Sequence, residues 1–162
     1  MIYLSLLEEK LNSKKAKVCI IGLGYVGLPI SLTFAEKGFM VMGLDIDKSK
    51  IDKINSGKSY INHISERRIN DAIKSGYFSV TDNYEIVKEQ DCIIICVPTP
   101  LTKYREPDLN FIINTMDMIS PYFQKGQLLS LESTTYPGTS EEILKPYICL
   151  LYTSPSPRDR RL

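Results

Sequence analysis

Gly22-Leu23-Gly24-Tyr25-Val26-Gly27 decides how this 162-residue chain is read. Before it stands the β-branched apolar run Lys17 to Ile21, and after it Pro29 to Lys37 repeats apolar residues at helical spacing until Gly38. The order is strand, tight turn, helix. In that setting the first glycine permits the turn, the second lets backbone approach an anion with no Cβ in the way, and the third lets helix and strand pack closely. The helix N-terminus adds N–H groups and the positive end of its dipole. Asp45 closes the next apolar run, where a carboxylate can accept hydrogen bonds from ribose hydroxyls. Together these residues predict a dinucleotide site on Gly22, Gly24, Tyr25, Val26, Gly27 and Asp45.

Asp45 also bears on which dinucleotide is taken. A carboxylate about 4 Å from a 2′-phosphate repels it by roughly 1 to 4 kcal/mol, depending on the effective dielectric, so NAD is expected over NADP. Lys48 and Lys50 lie near enough to offset that charge. Each also reads as a solvated residue on the first turn of a helix, and Lys50 is equally placed to contact the ribose.

Outward from the turn, strands and helices alternate. Met1 to Asn12 sets Leu4, Leu7 and Leu11 at helical spacing, an amphipathic helix ahead of the first strand that packs on the domain or on a partner. Phe39 to Leu44 reads as a strand, Lys48 to Asn55 as a helix, and Glu66 to Lys74 as a helix capped by Ser65. Phe78 to Thr81 is a short strand, Asn83 to Glu89 a short helix, and Cys92 to Val97 a strand apolar on both faces. Leu109 to Phe123 is a helix and Gln127 to Leu131 another buried strand, after which Thr139 and Glu142 form a capping box that opens one more helix. Continuously apolar strands between helices predict an α/β fold, a doubly wound, Rossmann-like parallel sheet covered on both faces.

Composition narrows the partner. The chain is 43% hydrophobic and 24% charged with a formal charge of +1, which suits one globular domain and a small-molecule ligand and offers no field for nucleic acid. No apolar run approaches the roughly 20 residues of a membrane span, and Glu8, Glu9 and Lys10 follow the first apolar residues too soon for a secretory signal. A cytoplasmic protein is expected. Cys92 and Cys96 share a strand face roughly 13 Å apart, too far for a disulfide. With Cys19 they read as small core residues, and no cysteine or histidine spacing suggests a metal site. His63 reads as a surface loop residue.

From Cys149 the composition changes in mid-helix. Cys149 to Asp159, followed by Arg160, Arg161 and Leu162, resembles the translation of a transposase adapter used in sequencing libraries. Residues 1–148 are therefore expected to form the domain, with the sheet stopping before its last strand, and 149–162 a non-native tail, mobile over residues 150–162, where Pro155 and Pro157 oppose helix. Without that tail 17 basic residues face 18 acidic ones, so near-neutrality does not depend on it.

Further motifs extend beyond the glycine turn. Gly22 to Pro29, Asn55-Ser56-Gly57-Lys58-Ser59-Tyr60-Ile61, Cys96-Val97-Pro98-Thr99-Pro100-Leu101, Arg105-Glu106-Pro107-Asp108-Leu109 and Glu132-Ser133-Thr134-Thr135-Tyr136-Pro137-Gly138-Thr139 stand in order along the chain. In this set the chain resembles the amino-terminal domain of the UDP-glucose/GDP-mannose dehydrogenase family, nearest the branch that oxidises UDP-N-acetylglucosamine at C6. The resemblance implies two successive NAD-dependent oxidations of a UDP-sugar, alcohol to aldehyde to carboxylate, for polysaccharide synthesis, with UDP-glucose as the alternative substrate. It implies cofactor contact for Val97, Pro98 and Thr99, and for Thr134 a catalytic role in orienting water near the nicotinamide. The family's nucleophilic cysteine, lysine and asparagine, its sugar-nucleotide domain and its dimerisation helix have no counterpart in this sequence, so the chain alone is expected to be inactive and the full-length product a homo-oligomer. A β-hydroxyacid dehydrogenase shares the glycine turn but not Glu132 to Thr139, and a non-catalytic NAD-binding regulatory module is the third reading.

Overall fold

A computed structural model describes residues 2–105 and 107–153. Five strands, β1 (Lys17–Ile21), β2 (Met40–Leu44), β3 (Phe78–Thr81), β4 (Cys92–Ile95) and β5 (Leu128–Leu131), form one sheet in the order β3-β2-β1-β4-β5. Every neighbouring pair is parallel, with Val18 opposite both Val41 and Cys92. The helices are α1 (Ile2–Asn12), α2 (Gly27–Glu36), α3 (Lys48–Asn55), α4 (Glu66–Lys74), α5 (Asn110–Ile119) and α6 (Lys145–Thr153).

Because successive strand residues point to opposite faces, β1 feeds two cores. Val18 and Ile20 join Leu28 and Leu32 of α2 and Ile69 of α4 on one face. Cys19 and Ile21 join Ile112, Met116 and Ile119 of α5 on the other. Ile20, Ile93 and Ile95 are completely buried, each a gain of about 1.5 to 3 kcal/mol relative to exposure. This is the doubly wound α/β fold, and the central strands have no polar face because both faces are covered.

The structure moves several expected boundaries. α2 begins at Gly27, two residues before Pro29, since a first-turn residue needs no N–H partner and proline is tolerated there. β4 ends at Ile95 because Pro98 lacks the N–H that a longer ladder would use. The helix expected over Leu109 to Phe123 is α5 followed by a 3-10 turn, Ser120–Tyr122, at Pro121. Asn83 to Glu89 is likewise a 3-10 turn, Tyr84–Glu89, capped by the Asn83 side chain. β5 is half exposed rather than buried, for it is an edge strand, and Leu128 on it is 47% exposed. On α1, Leu7 and Leu11 pack against the core while Leu4 stays 62% exposed, and Lys10 anchors the helix to Asp91.

The capping box at Thr139 does not form. Gly138, at φ 101°, delivers a chain that is already helical at Thr139 (φ −52°, ψ −40°), whereas a capping residue needs extended backbone. The Thr139 hydroxyl donates instead to the Tyr136 carbonyl, and the Glu142 carboxylate accepts from the Tyr136 hydroxyl at 3.1 Å. A wide π-type turn, Ser140–Leu144, leads into α6, whose backbone continues past Cys149 to Thr153. Residues 154–162, with Pro155 and Pro157, lie outside the described residues.

Candidate cofactor site

The chain runs from β1 outward to β2 and β3, then returns to place β4 on the other side of β1. Doubly wound sheets bind ligands at the carboxyl end of such a reversal, and here that end is made by Gly22 and Cys96. Gly22 donates its N–H to the Leu44 carbonyl at 2.8 Å, and Cys96 donates to the Ile21 carbonyl at 2.7 Å. Gly22 has φ 92°, and a Cβ on it would stand 2.8 Å from the Cys96 carbonyl oxygen. A Cβ on Gly27 would stand 1.8 Å from the Gly22 carbonyl oxygen. The first and third glycines are thus required by the protein's own backbone.

Gly24 differs. Its φ is outside the left-handed region, and a Cβ there would meet nothing within 4 Å. Neither strain nor neighbours demand glycine at that position. The space it leaves adjoins the start of α2, whose cap residue Val26 makes no side-chain bond to the helix end, and an anion can approach backbone there. The residues therefore fit a pyrophosphate.

Asp45, 5% exposed, is held from three sides. Oδ2 accepts from the Leu23 N–H at 2.8 Å and from Lys50 Nζ at 3.1 Å, and Oδ1 accepts from the Asp47 N–H at 2.9 Å. Since a carboxylate has about four acceptor positions, roughly one remains for a ligand hydroxyl. Lys50 thus faces the carboxylate, whereas Lys48 pairs with Asp82 at 3.5 Å. Tyr25 is exposed, and its ring stacks on that of His63 with centroids 6.4 Å apart. The exposed loop position expected for His63 is what the structure shows, but its contact with the glycine turn was not legible in the sequence.

Across the reversal, Val97, Pro98 and Thr99 leave β4 beside the segment that leaves β5. The Ser133 hydroxyl donates to the Val97 carbonyl at 2.7 Å, and the Thr99 hydroxyl to the Thr134 carbonyl at 2.6 Å. Thr134 is exposed at the same end of the sheet. Ser133 and Tyr60 stand within the quoted motifs, yet the sequence assigned a contact to neither. Tyr60 donates its hydroxyl to the Leu23 carbonyl at 2.5 Å from the loop between α3 and α4, a contact no spacing rule announces. Burial disfavours the thiolate at all three core cysteines. Burial pushes the Cys19 thiol up to about 12 and that of Cys96, aided by the charge of Glu132, up to about 11. Among the described residues no cluster of three or more His, Cys, Asp or Glu could hold a metal ion.

A parallel sheet with a glycine turn and an acidic strand end at its reversal defines a dinucleotide-binding domain. Residues 16–151 match the UDP-glucose/GDP-mannose dehydrogenase family, NAD binding domain, and the chain belongs to that family. It is 37% identical over 130 residues to UDP-N-acetyl-D-mannosamine dehydrogenase of Pyrococcus horikoshii, covering 80% of this chain and 31% of that protein. It is 35% identical to UDP-N-acetyl-D-glucosamine 6-dehydrogenase of Salmonella typhi, covering 83% and 31%. The solved UDP-N-acetyl-mannosamine dehydrogenase Cap5O of Staphylococcus aureus superposes with a TM-score of 0.78 at 34% identity, over 86% of this chain and 34% of that one. The chain spans about a third of the length of the curated relatives it matches. It is the NAD-binding domain of a family of nucleotide-sugar dehydrogenases.

Proposed function

We propose that this domain holds NAD for the oxidation of a UDP-N-acetylhexosamine, UDP-N-acetylglucosamine by preference, at C6 to the carboxylate with two NAD per sugar. Both UDP-N-acetyl-D-glucosamine and UDP-N-acetyl-D-mannosamine occur in the names of relatives at 32 to 38% identity, which supports an N-acetylated sugar over UDP-glucose. In this reading Gly22, Gly24, Tyr25, Val26 and Gly27 receive the pyrophosphate, Asp45 and Lys50 the adenosine ribose, and Val97, Pro98 and Thr99 the cofactor beyond it. Bound NAD supplies the hydride acceptor. Thr134 orients water where the two strand ends meet. The enzyme is cytoplasmic and homo-oligomeric. Among the described residues no helix is long and apolar enough to cross a membrane. This chain alone binds the cofactor without turning over sugar.

The observation that carries the cofactor site is Gly24, a glycine that the protein itself does not need. Gly24→Ala is expected to leave the thermal transition within about 1 °C of the wild type and to weaken NAD at least tenfold by calorimetry. Unchanged affinity would remove the pyrophosphate from this turn. For the substrate, the full-length gene product is assayed with three UDP-sugars, following NADH absorbance. Two NADH per UDP-N-acetylglucosamine is the expected yield, and turnover confined to UDP-N-acetylmannosamine or UDP-glucose would reassign the sugar.

A further inference from the structure

Leu23, between the first two glycines, is fixed at every point where it can be held. Its N–H donates to Asp45 Oδ2 and its carbonyl accepts from the Tyr60 hydroxyl. Its side chain is fully buried so close to Gly43 that a Cβ there would stand 2.9 Å from Leu23 Cδ2. The Leu23 carbonyl and the Gly24 N–H belong to one peptide unit. In a trans peptide these two groups point in opposite directions, and no cis bond occurs among the described residues. Whatever draws the Leu23 carbonyl toward the protein turns the Gly24 N–H away from it, at a residue whose Cβ position is itself open, with nothing within 4 Å.

Tyr60 is built to exert that pull. Its loop is pinned to α4, since Asn70 Nδ2 donates to the Gly57 carbonyl at 3.0 Å, and Ile61 and Ile64 beyond it are buried. Ser59 closes the loop on itself through the Ile61 carbonyl at 2.9 Å. Burial, with the nearby charges of Asp45 and Asp47, raises the Tyr60 phenol well above its ordinary value of 10, so the hydroxyl keeps its proton and always donates.

We propose that Tyr60 is a positioning residue for the cofactor, which by holding the Leu23 carbonyl aims the Gly24 N–H at the pyrophosphate. The proposal rests on the NAD site described above and adds to it a residue from a loop outside the glycine turn. It explains why a tyrosine hydroxyl reaches across from the α3–α4 connection to the backbone of a turn that already has its glycines.

The test uses the whole 162-residue chain and three proteins: wild type, Tyr60→Phe, and Tyr147→Phe. The last removes a hydroxyl bond of 2.6 Å to Asp117 on the far face of the sheet, as a matched control. NAD affinity is measured by calorimetry well below each melting transition, so that loss of stability alone does not register. Tyr60→Phe is expected to weaken NAD about three- to tenfold, the range of one hydrogen bond, and to shift the amide resonances of Leu23 and Gly24 in the free protein. Tyr147→Phe is expected to do neither. If the wild type binds and Tyr60→Phe binds equally well, Tyr60 has no such role and the NAD site stands. If the wild type does not bind NAD, both readings fall together.

Discussion

Asp45 illustrates how one side chain ties the glycine turn to the end of β2. Three donors converge on the carboxylate before any cofactor arrives, so its charge is already partly matched by Lys50 and by two backbone N–H groups. Asp45→Asn keeps an acceptor oxygen while removing the charge. It is expected to weaken NAD about tenfold or more, the scale of a hydrogen bond to a charged group, with little change for NADP, whose 2′-phosphate gains what the ribose hydroxyl loses. Calorimetry with both cofactors checks this, and equal losses would mean that Asp45 acts only through the Leu23 N–H. The places of the glycines and of Asp45 at the strand ends were legible in the sequence because a tight strand-to-helix turn ties them to fixed spacing. Tyr60 was not, because its contact depends on where a loop between two helices folds back. Lys50 was set apart from Lys48 by its place near the ribose, but the pairing of Lys48 with Asp82 was not legible, since it joins the start of α3 to the segment after β3.

At the scale of elements, α2 and α4 are joined by Arg68, whose Nε and Nη2 grip both oxygens of Glu36 at 2.5 and 3.1 Å and whose Nη2 also reaches Thr33 Oγ1 at 3.0 Å. The Arg68 hydrogen bond, and then its charge, hold the Glu36 carboxyl below its ordinary 4.5, with burial opposing only in part. A lowered folded value means that the pair stabilises the fold above 4.5 and that this stability is lost as the pH falls through the folded value. Both side chains are substantially exposed, so solvent screening limits the pair to about 1 kcal/mol or less. Denaturant unfolding of Glu36→Gln is expected to show that deficit at neutral pH and none once the carboxylate is protonated, while a pH-independent deficit would assign it to lost packing. Helices such as Lys48–Asn55 and Glu66–Lys74 were readable to the residue because Asp47 and Ser65 cap them with their own side chains. The capping box at Thr139 misled because the same residue pattern also suits a turn that enters the helix from a glycine at positive φ.

For the molecule as a whole, coverage of the sheet is uneven. A shallow, mainly apolar groove lies between α2 and β4, lined by Pro29, Ile30, Phe34, Phe39 and Ile94, and Leu128 stands exposed on the edge strand. Uncovered strand edges favour association. Sedimentation of the 162-residue chain is expected to depend on concentration, and Leu128→Lys to reduce that dependence without lowering the melting temperature, whereas a monomer at all concentrations would show that the edge is self-sufficient. The reversal of the sheet has a consequence in time as well. Gly22 touches Cys96, 74 positions later in the chain, and contacts between distant residues form slowly because a long loop must close first. During synthesis the glycine turn can leave the ribosome long before the strand that shapes it. NAD then meets a site that is incomplete until β4 has docked behind Gly22, so its stabilisation by mass action belongs chiefly to the finished domain.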